Sequence, residues 1–282
     1  MNDAMRFEKA GAAPVQSALA AQRFPATVGC FEDAPTRATI DGLVQWVMDR
    51  YRDDLRRRPS KHVYVRKLPG EAIARIDRIR DHAAVRDAIL RRFEPGSRLL
   101  PMKHTDELYL SHYNKDYGGD HGLYGRHYDG NLRFVPFCPV VRALIYLQSD
   151  ATYTVVFGDS GVAKAFATYD FALLDFHREL HWVEGCYNPD DRQRIVLKCN
   201  YLVAPPRGNR LAQAMLAANT GVFYVVKAAM EYSKSPANPP QFAVGLLCNL
   251  FRVLNNVHPL VPLAFILLVL AAAGWGIHGL LT

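Results

Sequence analysis

Two His-x-Asp pairs stand in this chain, His104-Thr105-Asp106 and His127-Tyr128-Asp129, and His177-Arg178-Glu179 comes close to the same pattern. On an extended strand side chains alternate with a period of two, so the imidazole and carboxylate of such a pair point to one face. One further His from a neighbouring strand completes a facial triad, a ligand set that suits iron(II) and leaves coordination positions open. The pair alone is a weak signal, since chance supplies on the order of one in a chain of this composition. Surroundings separate the two. His127 and Asp129 follow a glycine turn at Tyr117-Gly118-Gly119 and precede Gly130, where backbone can approach a site closely. They also come before the main run of strand-like segments, so a later His can reach back to them. His104 precedes the first such run and reads as a surface turn.

The third ligand is expected from FALLDFHRELHWVEG, residues 171–185. His177 and His181 would share one face of an extended strand, so spacing leaves both open. Downstream, RIVLK at residues 194–198 opens a strand with a guanidinium. The planar fork of Arg194 matches a carboxylate with two parallel hydrogen bonds, which suits the far end of a dicarboxylate.

The elements that must position these groups change character along the chain. Residues 1–37 are rich in Ala, Pro and Thr and read as an irregular lead-in. Asp41 is expected to cap a helix whose Leu43, Val44, Val47 and Met48 form one buried face. A second helical stretch covers roughly residues 71–93. From Glu107 onward short runs of β-branched and aromatic residues follow one another: LYLSHY, RFVPF, VRALIYLQ, TYTVVF, FALLDFH and RIVLKCNYLV. Turn-forming NKDYGGD, QSDA, GDSG and NPDD lie between them. Short strands at this spacing indicate a barrel or a two-sheet sandwich.

After Pro205-Pro206 the strand signals stop. LAQAMLAANTGVFYVVKAAM reads as an apolar helix, and residues 259–282 contain no Asp, Glu, Lys or Arg. A helix of about 22 residues at roughly 1.5 Å each spans about 33 Å, the thickness of a bilayer core. Residues 260–281 are therefore expected to cross a membrane, while 242–257 stays open between a second span, an interfacial helix and a core helix. Lys227, Lys234 and Arg252 precede the span, so the domain before it is expected in the cytosol by the positive-inside rule.

Bulk composition adds exclusions. The net charge of +7 has its densest cluster at Arg56-Arg57-Arg58, which reads as a solvated helix end. No aromatic residues interleave with it, and no nucleic-acid partner is expected. The five cysteines form no CxxC pair, which argues against a disulfide scaffold or zinc site and for a reducing compartment. The N-terminus lacks an apolar core, so no secretory signal is expected.

Several pieces, taken in order, resemble the 2-oxoglutarate and iron(II)-dependent oxygenase superfamily, especially its prolyl-4-hydroxylase-like branch. They are YLSHY (109–113) before a glycine turn, HYDG (127–130), ALIYL (143–147), ALLDFHRELH (172–181) and RIVLK (194–198). The resemblance implies a double-stranded β-helix or jelly roll for the strand-rich part; with the helices and the apolar tail read above, the expected fold is mainly β (α+β), with supporting N-terminal helices and a C-terminal helical membrane segment. The oxygenase domain would cover residues 38–206, with helices at 41–95 and the jelly-roll core at 105–205, and residues 207–282 would form the helical tail. It implies iron(II) on His127, Asp129 and His181, with 2-oxoglutarate and O2 as cosubstrates. Arg194 would bind the far carboxylate and Tyr113 would hydrogen-bond the same cosubstrate, while His177 becomes a supporting histidine. Superfamily members that halogenate lack the carboxylate ligand, so Asp129 points to hydroxylation or desaturation of a small-molecule, lipid-like or protein substrate. Two departures stand out. TYTVVF (152–157) lacks the glycines usual there, and Asp190-Asp191-Arg192-Gln193 replaces the glycine before the clamp, which leaves Arg192 as a rival to Arg194. A barrel dioxygenase without 2-oxoglutarate, or an inactive membrane-tethered barrel acting as a scaffold, are the alternatives.

Overall fold

A computed structural model describes residues 24–57, 60–111, 126–129, 138–184 and 193–220. Their order is β1 (Thr27–Cys30), α1 (Ala34–Arg57), β2 (Ser60–Tyr64), α2 (Gly70–Arg80), α3 (Ala83–Leu90), β3 (Arg98–Pro101) and β4 (Glu107–Ser111). Then come β5 (Val140–Gln148), β6 (Asp150–Phe157), β7 (Val162–Ala167), β8 (Asp170–Asp175), β9 (His181–Glu184) and β10 (Arg194–Ala204). Residues 209–220 are helical and are called α4.

The first helix starts earlier than the sequence suggests. Asp33, not Asp41, caps α1: its Oδ1 accepts the Thr36 backbone N–H at 2.8 Å. Such a cap is worth about 1 kcal/mol. Asp41 lies inside the helix and accepts from the Tyr169 hydroxyl at 2.8 Å, pinning α1 to the turn before β8. Part of the stretch expected to be an irregular lead-in thus forms β1, an edge strand on β8, and the start of α1. The single helical stretch expected over residues 71–93 is two helices. The chain turns at Asp81 and His82, and His82 Nδ1 accepts from Ala84 N to restart α3.

All strand pairs are antiparallel, in two sheets. The larger runs β1-β8-β5-β10-β4-β2, with β3 also on β10, and the smaller runs β7-β6-β9. Consecutive strands pass between the sheets, β5 to the large, β6 and β7 to the small, β8 back, β9 across and β10 back. This interleaving is the jelly-roll pattern. A backbone bridge between His127 and His181 extends the smaller sheet beyond β9.

The large sheet is covered on both faces, which is why its strands read as almost continuous apolar runs. Odd residues of β5 and β10 (Val141, Ala143, Ile145, Ile195, Leu197, Tyr201) pack under the helices against Ile40, Leu43, Val47, Ile76, Ile79 and Ile89. Even residues Leu144, Tyr146 and Val196 face the small sheet and join Val155, Phe157 and Phe166. On β5 and β10 the charged side chains Arg142, Arg194 and Lys198, with Asn200, all fall on that inner face. Among the described residues no helix is long and apolar enough to cross a membrane. The expected span at 260–281, and the open stretch at 242–257, lie outside the described residues.

Candidate metal centre

Two short backbone segments bring the ligand candidates together. His127 N donates to His181 O and His181 N donates to His127 O, both at 3.0 Å. Residues paired in this way across an antiparallel bridge project their side chains to the same face. The two rings lie 4.4 Å apart, centre to centre. Asp129, two residues on, swings its carboxylate between them: Oδ1 is 3.6 Å from His127 Nε2 and Oδ2 is 3.5 Å from His181 Nε2. One donor atom from each of the three residues falls within a 4.8 Å cluster.

The structure also separates His181 from His177, which spacing alone left tied. β8 ends at Asp175, and residues 176–178 form a turn. Asp175 Oδ1 accepts the backbone N–H groups of His177 and Arg178 there, so the two histidines do not share a strand. His177 packs its ring edge-on to Phe176 and stands outside the cluster. Its neighbour Glu179 is buried and binds Ser160 through both N–H and hydroxyl. His104, the other His-x-Asp candidate, lies beside Asn219 and Thr220 of α4, and its Asp106 pairs with Arg80. Gly158 holds β9 close: its N–H donates to Leu180 O at 2.8 Å, and a Cβ there would sit 2.5 Å from the Trp182 ring.

The donor set fits a divalent ion. His181 Nδ1 lies 3.1 Å from the Glu179 carbonyl, which only accepts, so the ring proton belongs on Nδ1 and the Nε2 lone pair faces Asp129. Burial pulls the His181 pKa below its ordinary value and favours the neutral ligand form. Burial alone would raise the Asp129 carboxyl, but the charges of Arg142 and Lys198 hold it well below the usual carboxylate range. Arg142 Nη1 stands 2.8 Å from Asp129 Oδ2 as an ion pair, yet that buried oxygen accepts no well-aligned hydrogen bond. A buried, ionised oxygen with an open lone pair is what a metal ligand requires.

A polar chain leads away from the cluster. Arg142 Nε donates to Asn200 Oδ1 at 2.9 Å, and Asn200 N donates to Asp106 Oδ1 at 3.3 Å. Asp106 Oδ2 takes the Arg80 guanidinium at 3.1 Å, and Arg80 is fully buried at the end of α2.

The pocket beside the cluster is lined by Leu144, Tyr146, Val155, Val183 and Val196, with Arg194 and Lys198 on β10. Arg194 is 8% exposed, and its buried Nε has no hydrogen-bond partner. The guanidinium lies over the Tyr146 and Tyr153 rings and beside the buried Tyr146 hydroxyl, whose own O–H finds no acceptor. Two orphaned donors facing one cavity are an invitation to an acceptor-rich ligand. Tyr113 and Arg192, the other expected cosubstrate contacts, lie outside the described residues.

No protein-family model matches the chain, and no curated protein matches it significantly. Solved structures do. Its likenesses include prolyl hydroxylases and 2-oxoglutarate-dependent enzymes. The non-haem α-ketoglutarate-dependent epimerase SnoN of nogalamycin biosynthesis is 15% identical, with a TM-score of 0.45 over 66% of this chain and 81% of that one. A prolyl 4-hydroxylase from Phytophthora capsici is 16% identical, at 0.40 over 81% and 69%. One from Pseudomonas putida is 16% identical, at 0.37 over 64% and 93%. Identities and TM-scores this low decide neither activity nor substrate; the residues of the site must.

Tyr146, Arg142 and Lys198 are site residues that sequence reasoning missed. The signal was present, since all three occupy even positions on the strands that carry Leu144 and Val196 inward. Without a register, a charged or hydroxylated residue in an apolar run does not declare its face.

Proposed function

We propose that the chain is an iron(II)- and 2-oxoglutarate-dependent oxygenase that hydroxylates or desaturates an organic substrate. The observation that carries this reading is one pocket holding both the His127, Asp129 and His181 cluster and the orphaned donors of Arg194 and Tyr146. Bound there, iron(II), 2-oxoglutarate and O2 supply the oxidising chemistry, in which 2-oxoglutarate goes to succinate and CO2 as the substrate is oxidised.

The protein's own part is positioning. His127, Asp129 and His181 would hold the ion on one side and leave the other side open. The Glu179 carbonyl fixes the His181 tautomer, and Arg142 limits the swing of the Asp129 carboxylate. Arg194 would grip the far carboxylate of 2-oxoglutarate in its fork, with the Tyr146 hydroxyl as an added donor. Leu144, Val155, Val183 and Val196 would keep water from the reacting groups.

The charge-free run at 260–281 supports a C-terminal membrane anchor with the oxygenase domain on the cytosolic side. A lipid-like or membrane-protein substrate would suit that position. Purified protein should form succinate from 2-oxoglutarate only when iron(II) is supplied, and faster with the right substrate. Absence of any iron-dependent 2-oxoglutarate binding or turnover refutes the reading.

A further inference from the structure

The inner wall of the barrel carries more positive charge than a metal and 2-oxoglutarate require. Arg142, Arg194 and Lys198 occupy even positions of β5 and β10, the inner face of the large sheet. Arg142 is committed, with Nη1 on Asp129, Nε on Asn200 and its plane over Phe176. Arg194 is assigned to the cosubstrate. Lys198 is left.

Lys198 lines the same pocket. Its Nζ lies 3.5 Å from Glu107 Oε1 and 4.9 Å from the centre of the Tyr109 ring. An ammonium–carboxylate hydrogen bond is usually about 2.7–2.9 Å, so this contact is a loose ion pair. Glu107 is shared, because His62 Nδ1 stands 3.2 Å from its other oxygen. The three N–H donors of Lys198 therefore make no hydrogen bond among the described residues. Lys198 stands four positions beyond Arg194, about 13 Å along the strand, so the two need not serve one carboxylate.

Charge balance says what Lys198 is for. With a divalent ion and a doubly charged 2-oxoglutarate in place, Asp129 and Glu107 leave one positive charge uncompensated among these groups. A single negative charge on the substrate would close the balance in a site walled by Leu144, Val155 and Val183, where an unpaired charge is costly. We propose that Lys198 is the anchor for a carboxylate on the organic substrate, so that the enzyme selects an acid over its neutral counterpart. The proposal rests on the oxygenase reading, because that reading assigns Arg194 to 2-oxoglutarate.

Calorimetric titration of the full chain with phenylacetate and with phenylacetamide tests it. Both probes are measured on protein without added metal and again with manganese(II) and 2-oxoglutarate. Phenylacetate should bind about tenfold or more tightly than the amide. Lys198→Arg should keep that preference, and the double variant Lys198→Met with Glu107→Gln, which strands no buried carboxylate, should abolish it. No binding of phenylacetate, no preference, or a preference that survives in the double variant overturns the proposal. So does a preference lost with Arg194→Met but kept in the double variant, or a double variant whose main loss is in 2-oxoglutarate affinity. The parent reading fails separately. If 2-oxoglutarate does not bind while the Lys198-dependent preference persists, the oxygenase assignment falls and the acid site stands.

Discussion

Replacing Arg194 by Met separates a clamp from a packing residue, because the two roles predict opposite signs in the absence of ligand. A guanidinium gripping a carboxylate makes two charge-assisted hydrogen bonds, each worth about 1.5–3 kcal/mol. Their loss is about 3–6 kcal/mol, and Met would recover part of it by packing on Tyr146 and Tyr153. Affinity for 2-oxoglutarate should therefore fall by about two to three powers of ten. Without ligand the balance reverses. Arg194 then buries an Nε with no partner, which costs about 1–3 kcal/mol. The ligand-free Met variant should melt at the same temperature as the parent or higher, and 2-oxoglutarate should no longer raise its Tm. Calorimetric titration with manganese(II) present, and thermal melts with and without 2-oxoglutarate, read both effects. An affinity change below about fivefold, roughly 1 kcal/mol, refutes the clamp. So does a larger loss from Arg192→Ala.

Other substitutions read the rest of the site. Asp129→Ala or His181→Ala should abolish stoichiometric metal binding and succinate formation, while His104→Ala and His177→Ala keep most of both; a dead His177 variant beside a live His181 variant would overturn the ligand set. The Glu107 carboxyl is lowered from 4.5 to about 2: burial alone would raise it, but His62, Lys198 and Arg142 outweigh burial. Its contribution is thus fully present above pH 4.5 and is lost as pH falls towards about 2, by at most about 3 kcal/mol, so urea melts across that window should show a slope that Glu107→Gln flattens. Truncation near Ser235 should release a folded, detergent-independent barrel; full-length protein found wholly in the soluble fraction after lysis without detergent would remove the membrane anchor.

Much of the barrel was legible because its strands are built from β-branched and aromatic runs between turn residues, and β4, β5, β6, β8 and β10 fall on those runs. The strands that were not legible lack that texture. β7 is VAKAFA, with exposed alternate positions, and β9 is only four residues long. β1 and β2 exist through pairing to β8 and β4 rather than through their own propensity. Asp33 caps α1 with Pro35 in the first helical turn, where proline is tolerated. At the site, residue types and order were enough to nominate His127, Asp129 and Arg194. They could not separate His177 from His181, since that depends on a turn which Asp175 stabilises with its own carboxylate. Arg142, Tyr146 and Lys198 stayed hidden for a different reason. Their importance comes from the strand register, which long-range pairing sets.

The polar chain from Asp129 through Arg142, Asn200 and Asp106 to Arg80 makes the helical layer part of the ligand set's scaffolding. A minimal barrel excised at residues 105–205 would retain His127, Asp129, His181 and Arg194, and would still be a poor receptacle. Its Asp106 would lose the Arg80 cation that neutralises it, the chain through Asn200 and Arg142 would lose its anchored end, and the aim of Asp129 would drift. Anyone seeking to transplant this cluster and its pocket onto another scaffold must therefore carry α2 along, although α2 contributes no residue to the pocket wall.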